Sequence, residues 1–162
     1  MLKPLLQPSA CAACRLCCRV NALDLWELPT FTEEAAAQLR TLAPDVAFAP
    51  VGNGLRLEAK VGADGWYACP ALTDTGCALG DEKPFACRVW PFRVMELHGI
   101  RLIGVSTECV SLTDKPLREL LAFLRGGLAD TMFSYAKAHP ELVTPYAPYY
   151  VILCWEDGGR GL

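Results

Sequence analysis

Four thiols fall within eight residues, Cys11-Ala12-Ala13-Cys14-Arg15-Leu16-Cys17-Cys18, and four more follow at Cys69, Cys77, Cys87 and Cys109. In the first set two, two and no residues separate successive cysteines; in the second the gaps are seven, nine and twenty-one residues. Cysteine can fill a buried helix face as a small hydrophobe. Four of them at the spacing of metal knuckles need a further reason, and shared thiolate ligation supplies one.

Disulfides are a poor alternative. At 162 residues a chain buries enough apolar surface to fold without them. The expected organisation is one domain over residues 11–157, with tails at 1–10 and 158–162. The start carries one cation and a few leucines, but Pro4 and Pro8 break its short apolar run, so no export signal is expected. Ser9-Ala10 before Cys11 resembles a lipoprotein cleavage site, yet Pro8 stands where that signal has an aliphatic residue. No apolar run reaches the length of a membrane span. The expected compartment is therefore the reducing cytoplasm, where clustered cysteines hold metal more often than disulfides. A net charge of −3 leaves no footprint for nucleic acid.

The expected fold class is α+β: small antiparallel hairpin sheets with helices, and a cysteine-rich region organised by metal. A helix over residues 11–20 puts Cys11, Cys14 and Cys18 on one stripe with Cys17 beside them. A short helix or turn follows to Pro29. Thr30-Phe31-Thr32-Glu33 then reads as a capping box opening a helix from Glu33 to about Leu42. Residues 46–51 and 55–61 are expected as strands joined at Gly52-Asn53-Gly54, and 66–68 as a strand ending at Cys69. From Cys69 to Cys87 the chain reads as an irregular loop. Residues 92–97 and 100–105 form a hairpin at His98-Gly99, Asp114 caps a long helix weakened at Gly126-Gly127, and Tyr149–Trp155 is a last strand.

An ion bound through metal–sulfur bonds of about 2.3 Å needs its sulfurs roughly 3.8 Å apart. Adjacent cysteines point in different directions, so Cys17 and Cys18 are expected to serve two sites, each drawing on both sets. Cys11, Cys14 and Cys17 match the start of a ferredoxin-type run, and no second, separate Cys-x-x-Cys pair follows downstream for zinc. This favours an iron–sulfur cluster or iron over zinc for at least one site. Eight thiolates would add about eight negative charges, of which two divalent ions return about four. Arg15, Arg19, Arg88 and Arg93 are the candidate counter-charges, the alternative being that they are surface solubilisers.

The run Cys11-x-x-Cys14-x-x-Cys17-Cys18, followed by Cys69-Pro70, Cys77 and Lys83-Pro84-Phe85-Ala86-Cys87-Arg88-x-x-Pro91-Phe92, resembles the zinc- or iron-chelating CxxCxxCC family over roughly residues 11 to 110. The chain departs from that pattern at Lys83, where the family usually has arginine, at Ala78-Leu79, where an aromatic is common, and after Cys109, where Pro-Gly is common. The resemblance implies Cys11, Cys14, Cys17, Cys18, Cys69, Cys77, Cys87 and Cys109 as metal ligands. It extends distantly to flagellin lysine N-methylase, which implies an iron–sulfur cluster there. A shared motif licenses a site and not a reaction.

Cys154 in a final apolar run reads as packing, His98 as a turn residue and His139 as a helix end. Glu33-Glu34 and Asp81-Glu82 read as surface carboxylates. No nucleotide-binding or hydrolase motif occurs. Three functions are open to such a chain: a metalloprotein with structural or redox-accessory sites, an iron–sulfur enzyme such as a protein lysine methyltransferase, and a metal carrier or store. Its expected partners are metal ions, with neither nucleic acid nor membrane.

Overall fold

The computed structural model describes residues 1, 2 and 4–157; the expected tail 158–162 lies outside them. Helices and mostly antiparallel strands make an α+β protein, as the sequence patterning predicts. Where one domain is expected over residues 11–157, the chain divides into two compact units, Met1–Trp90 and Pro91–Leu162. Among the described residues no helix is long and apolar enough to cross a membrane.

In the first unit the expected N-terminal tail already carries structure. Leu2, Leu5 and Leu6 are buried, and helix α1 (Pro8–Cys14) begins with proline at its first turn, where the missing N–H goes unused. The helix expected over 11–20 ends early, at Cys14. Arg15 adopts a left-handed conformation at φ 59° and closes the helix through its N–H to the Cys11 carbonyl, 3.0 Å. A 3₁₀ turn, Leu16–Cys18, leads into strand β1 (Arg19–Val20).

A second 3₁₀ turn, Ala22–Glu27, precedes β2 (Thr30–Phe31) and helix α2 (Glu33–Leu42). The bounds of α2 are those the sequence predicts, but the cap is Thr32, whose hydroxyl accepts from the Ala35 N–H at 3.2 Å. Strands β3 (Ala47–Val51) and β4 (Gly54–Glu58) form the expected hairpin, and β2 pairs on the other side of β4. Phe31, Ala36, Leu39 and Leu57 are almost wholly buried between this sheet and α2, with Phe48 edge-on to Phe31 at 5.4 Å.

Strand β5 (Tyr67–Ala68) pairs antiparallel with β1, Arg19 opposite Ala68 and Val20 opposite Tyr67. The stretch expected as loop has order of its own. It holds the hairpin β6 (Leu72–Thr73) and β7 (Gly76–Cys77), a 3₁₀ turn Gly80–Glu82, and helix α3 (Phe85–Val89).

The second unit is built on β8 (Phe92–Leu97) and β9 (Ile100–Ser106), joined by His98 and Gly99 with φ of 53° and 78°. Positive φ at both turn residues matches the twist of the paired strands. Asp114 ends the short helix α4 (Val110–Thr113) and does not cap the next one. Helix α5 (Leu117–Phe123) starts after Pro116, whose ring presets the backbone. At the expected weak point the chain makes a π turn, Leu124–Leu128, with Gly127 at φ 111°, before α6 (Ala129–Ala138). The strands β10 (Thr144–Pro145) and β11 (Tyr150–Trp155) complete the sheet in the order β10-β8-β9-β11, with β10 parallel to β8.

Replacing Thr32 with alanine removes the α2 cap and should lower stability by about 1 kcal/mol. The readout is a lower urea midpoint at unchanged slope; an unchanged midpoint would show that the cap contributes nothing.

Candidate functional site

The first unit holds seven of the eight expected ligands: Cys11, Cys14, Cys17, Cys18, Cys69, Cys77 and Cys87. All seven are free thiols. The eighth, Cys109, belongs to the second unit, where it is buried and its carbonyl accepts from the amides of Leu112 and Thr113 at the start of α4. Cys154 lies in β11, also in the second unit, its thiol pushed up by burial.

Backbone pairing brings the two cysteine sets together. Because β1 follows Cys18 and β5 precedes Cys69, their antiparallel register places those cysteines side by side, and the Cys69 N–H donates to the Cys18 carbonyl at 2.8 Å. The break at Arg15 sets up this approach. Its guanidinium donates to the Ala12 carbonyl at 3.1 Å and, across the chain, to the Asp74 carbonyl at 2.9 Å in the turn between β6 and β7. A non-glycine residue held at positive φ is an uncommon conformation that surrounding contacts must fix. Here those contacts tie α1 to the hairpin carrying Cys77.

The adjacent thiols do not diverge as expected. The Cys17 and Cys18 sulfurs sit 3.7 Å apart and share a hydrogen bond, close to the roughly 3.8 Å edge of a tetrahedral metal–sulfur site. The tight 3₁₀ turn, in place of the predicted helix, allows this approach. Their proton affinities split accordingly: the bond from Cys17 and the charge of Lys83 hold Cys18 at about 7 against the opposing effect of burial, while Cys17 is pushed up as the donor.

Cys69 and Cys77 are prepared differently. The Cys69 sulfur accepts from the backbone amides of Ala71 and Leu72, and the Cys77 sulfur from those of Leu79 and Gly80. Each thus heads a turn whose amides two and three residues on face the sulfur. Such donors stabilise negative charge on sulfur. Burial is the larger influence at both, and it raises Cys77 and pushes Cys69 up to about 12. Both side chains also pack against the core of Phe31, Leu39 and Leu57.

Cys87, on α3, is raised by desolvation and then by the negative charges of Cys69, Cys18 and Cys77, although the residue keeps an exposed surface. Cys11 is raised by burial, with Cys14 and Cys18 adding to it. Cys18 is the common neighbour in this set, acting on Cys11, Cys17, Cys69, Cys77 and Cys87.

Three of the four candidate counter-charges, Arg15, Arg19 and Arg88, are engaged elsewhere. Arg15 holds the hairpin; Arg19 pairs with Asp64 and lies 5.7 Å from the centre of the Trp66 ring; Arg88 lies over Phe85; Arg93 falls in the second unit. The cation that acts on Cys11, Cys18, Cys77 and Cys87 is Lys83. Sequence reasoning passed over it, and over the four amides. The signals were present in Lys83-Pro84 close before Cys87, and in Pro70 and Gly80, which shape the two turns. Among the described residues no three His, Cys, Asp or Glu side chains are grouped closely enough to hold one ion.

In reduced, metal-free protein, Cys18 should alkylate with a midpoint near pH 7, ahead of Cys69, and Lys83→Met should move that midpoint upward. Mass mapping of iodoacetamide-treated protein reads this; simultaneous reaction of Cys18 and Cys69 would refute it. Linkage gives the matching stability profile. The lowered Cys18 value contributes stability above its unfolded pKa of 9.0, lost as pH falls through about 7. The raised Cys69 value contributes stability below 9.0, lost as pH rises toward about 12.

Compared with known protein families, curated proteins and solved structures, the chain matches none.

Proposed function

We propose that the chain binds zinc or iron, the latter as an ion or an iron–sulfur cluster, through the thiolates of its first unit. Its role on this reading is structural or redox-accessory, in a reducing cytoplasm. One observation carries the reading: the sulfurs of Cys69 and Cys77 each receive two backbone amides, and both thiols lie in charge contact with Cys18. Amides aimed at a sulfur have their full effect only when that sulfur is a thiolate. Burial opposes the free anion at both positions, and a bound cation removes that opposition.

The donor chemistry fits. Soft thiolates suit zinc and iron–sulfur clusters, and the Cys17–Cys18 separation of 3.7 Å spans one edge of a tetrahedral site. Lys83 offsets part of the charge that several thiolates carry. The resemblance to CxxCxxCC proteins belongs to the same proposal.

The exposure of Cys11 and Cys17 favours a second reading, a carrier that exchanges its metal. Competition with a chelator separates the two, since a structural site resists it and a carrier yields.

Protein purified without oxygen should contain metal by elemental analysis, with a broad visible band if a cluster is present. Outer-shell donors alone are worth about 10–100-fold in affinity, so Cys69→Ser and Cys77→Ser should each weaken binding by more than that and lower the melting temperature. Cys154→Ser should leave metal content intact. Full loading of both loop variants would overturn the proposal.

A further inference from the structure

Cys17 and Cys18 differ from the other thiols of the first unit in their direct contact, sulfur to sulfur at 3.7 Å, with Cys17 exposed to solvent. Among the described residues no third ligand-type side chain joins them in a group able to hold an ion. Taken without the other thiols, such a pair suits a soft centre that takes two sulfurs. Zinc asks for four ligands, and a linear two-coordinate ion with bonds of about 2.3 Å asks for sulfurs roughly 4.6 Å apart, on opposite sides. A trivalent arsenic atom already bonded to one carbon makes two bent bonds to sulfur, and thiols in contact meet that geometry.

We propose that Cys17 and Cys18 form a chelating dithiol site for monosubstituted trivalent arsenic compounds. This goes beyond the metal reading, because it needs only two of the seven thiols. The reaction is a condensation: two S–H bonds and the arsenic–oxygen double bond break, two arsenic–sulfur bonds form, and both protons leave with the oxygen as water. No electrons are transferred, and arsenic stays trivalent. The product carries no net charge, whereas four thiolates on a divalent ion leave about two negative charges to be balanced. A neutral adduct therefore places no demand on Lys83.

The contact is also made in advance. Arg15 fixes the turn from one side through Ala12 and Asp74, and the Cys18 carbonyl is held from the other by the Cys69 amide. Folding thus supplies the closeness that a flexible chain would have to find, which strengthens chelation.

The test uses the reduced, chelator-stripped 162-residue chain and phenylarsine oxide. The expected product is one phenylarsenic group per chain with two thiols lost, reversed by a small dithiol. Tryptic cleavage after Arg15 and Arg19 should place it on Leu16-Cys17-Cys18-Arg19, a mapping that needs no variant. Adduct formation should be about tenfold weaker in the unfolded chain and in Cys17→Ser, and unchanged in Cys14→Ser. An adduct mapped to other cysteines, no adduct, or equal affinity in the unfolded chain would overturn the proposal. Cys77→Ser separates the two readings, since it should lose metal and keep the arsenical; either reading can fail alone.

Discussion

Two short strands hold the candidate site in place. The β1–β5 pairing covers only Arg19–Val20 and Tyr67–Ala68, and it extends by one hydrogen bond from the Cys69 amide to the Cys18 carbonyl. Without it, thiols some fifty residues apart along the chain have no reason to meet. So short a pairing is not stable alone. It is secured at one end by the core beneath Cys69 and Cys77, and at the other by the Arg15 tether to the β6–β7 hairpin. The site is therefore an extension of the hydrophobic core, in which apolar burial and thiol placement depend on the same residues.

Dense thiols raise an electrostatic problem that the fold handles unevenly. Burial and mutual repulsion raise Cys11, Cys69, Cys77 and Cys87, and the hydrogen bond to Cys18 raises Cys17. Cys18 is brought down to about 7, because Cys17 donates to it and Lys83 faces it. A cluster arranged this way holds little negative charge at neutral pH. Two kinds of sulfur result: a contact pair in a 3₁₀ turn, and loop sulfurs faced by backbone amides. The first is set by closeness of side chains and the second by direction of main-chain dipoles, so the two can serve different chemistry.

Local patterning is legible in the sequence wherever one residue type decides the outcome. The bounds of α2, the His98-Gly99 hairpin and the break at Gly126-Gly127 all follow from capping, turn and helix preferences acting over a few residues. The reading of residues 11–20 as one helix failed at Arg15, since its left-handed backbone is held by Asp74, a partner 59 residues on. The loop from Cys69 to Cys87 hid a hairpin for a similar reason: β6 and β7 are two residues each, too short for alternation to register.

The sequence by itself determined the number and spacing of the thiols on which the proposed function rests, and it determined an α+β class through its alternating and helical runs. The tertiary structure alone decided which thiols meet and under what charge. Cys17 and Cys18 touch because of a turn that Arg15 imposes, Lys83 takes the place expected of arginines, and Cys109 goes to the second unit. Spacing along a chain records which groups are available; distances and fields between them arise only when remote segments pair.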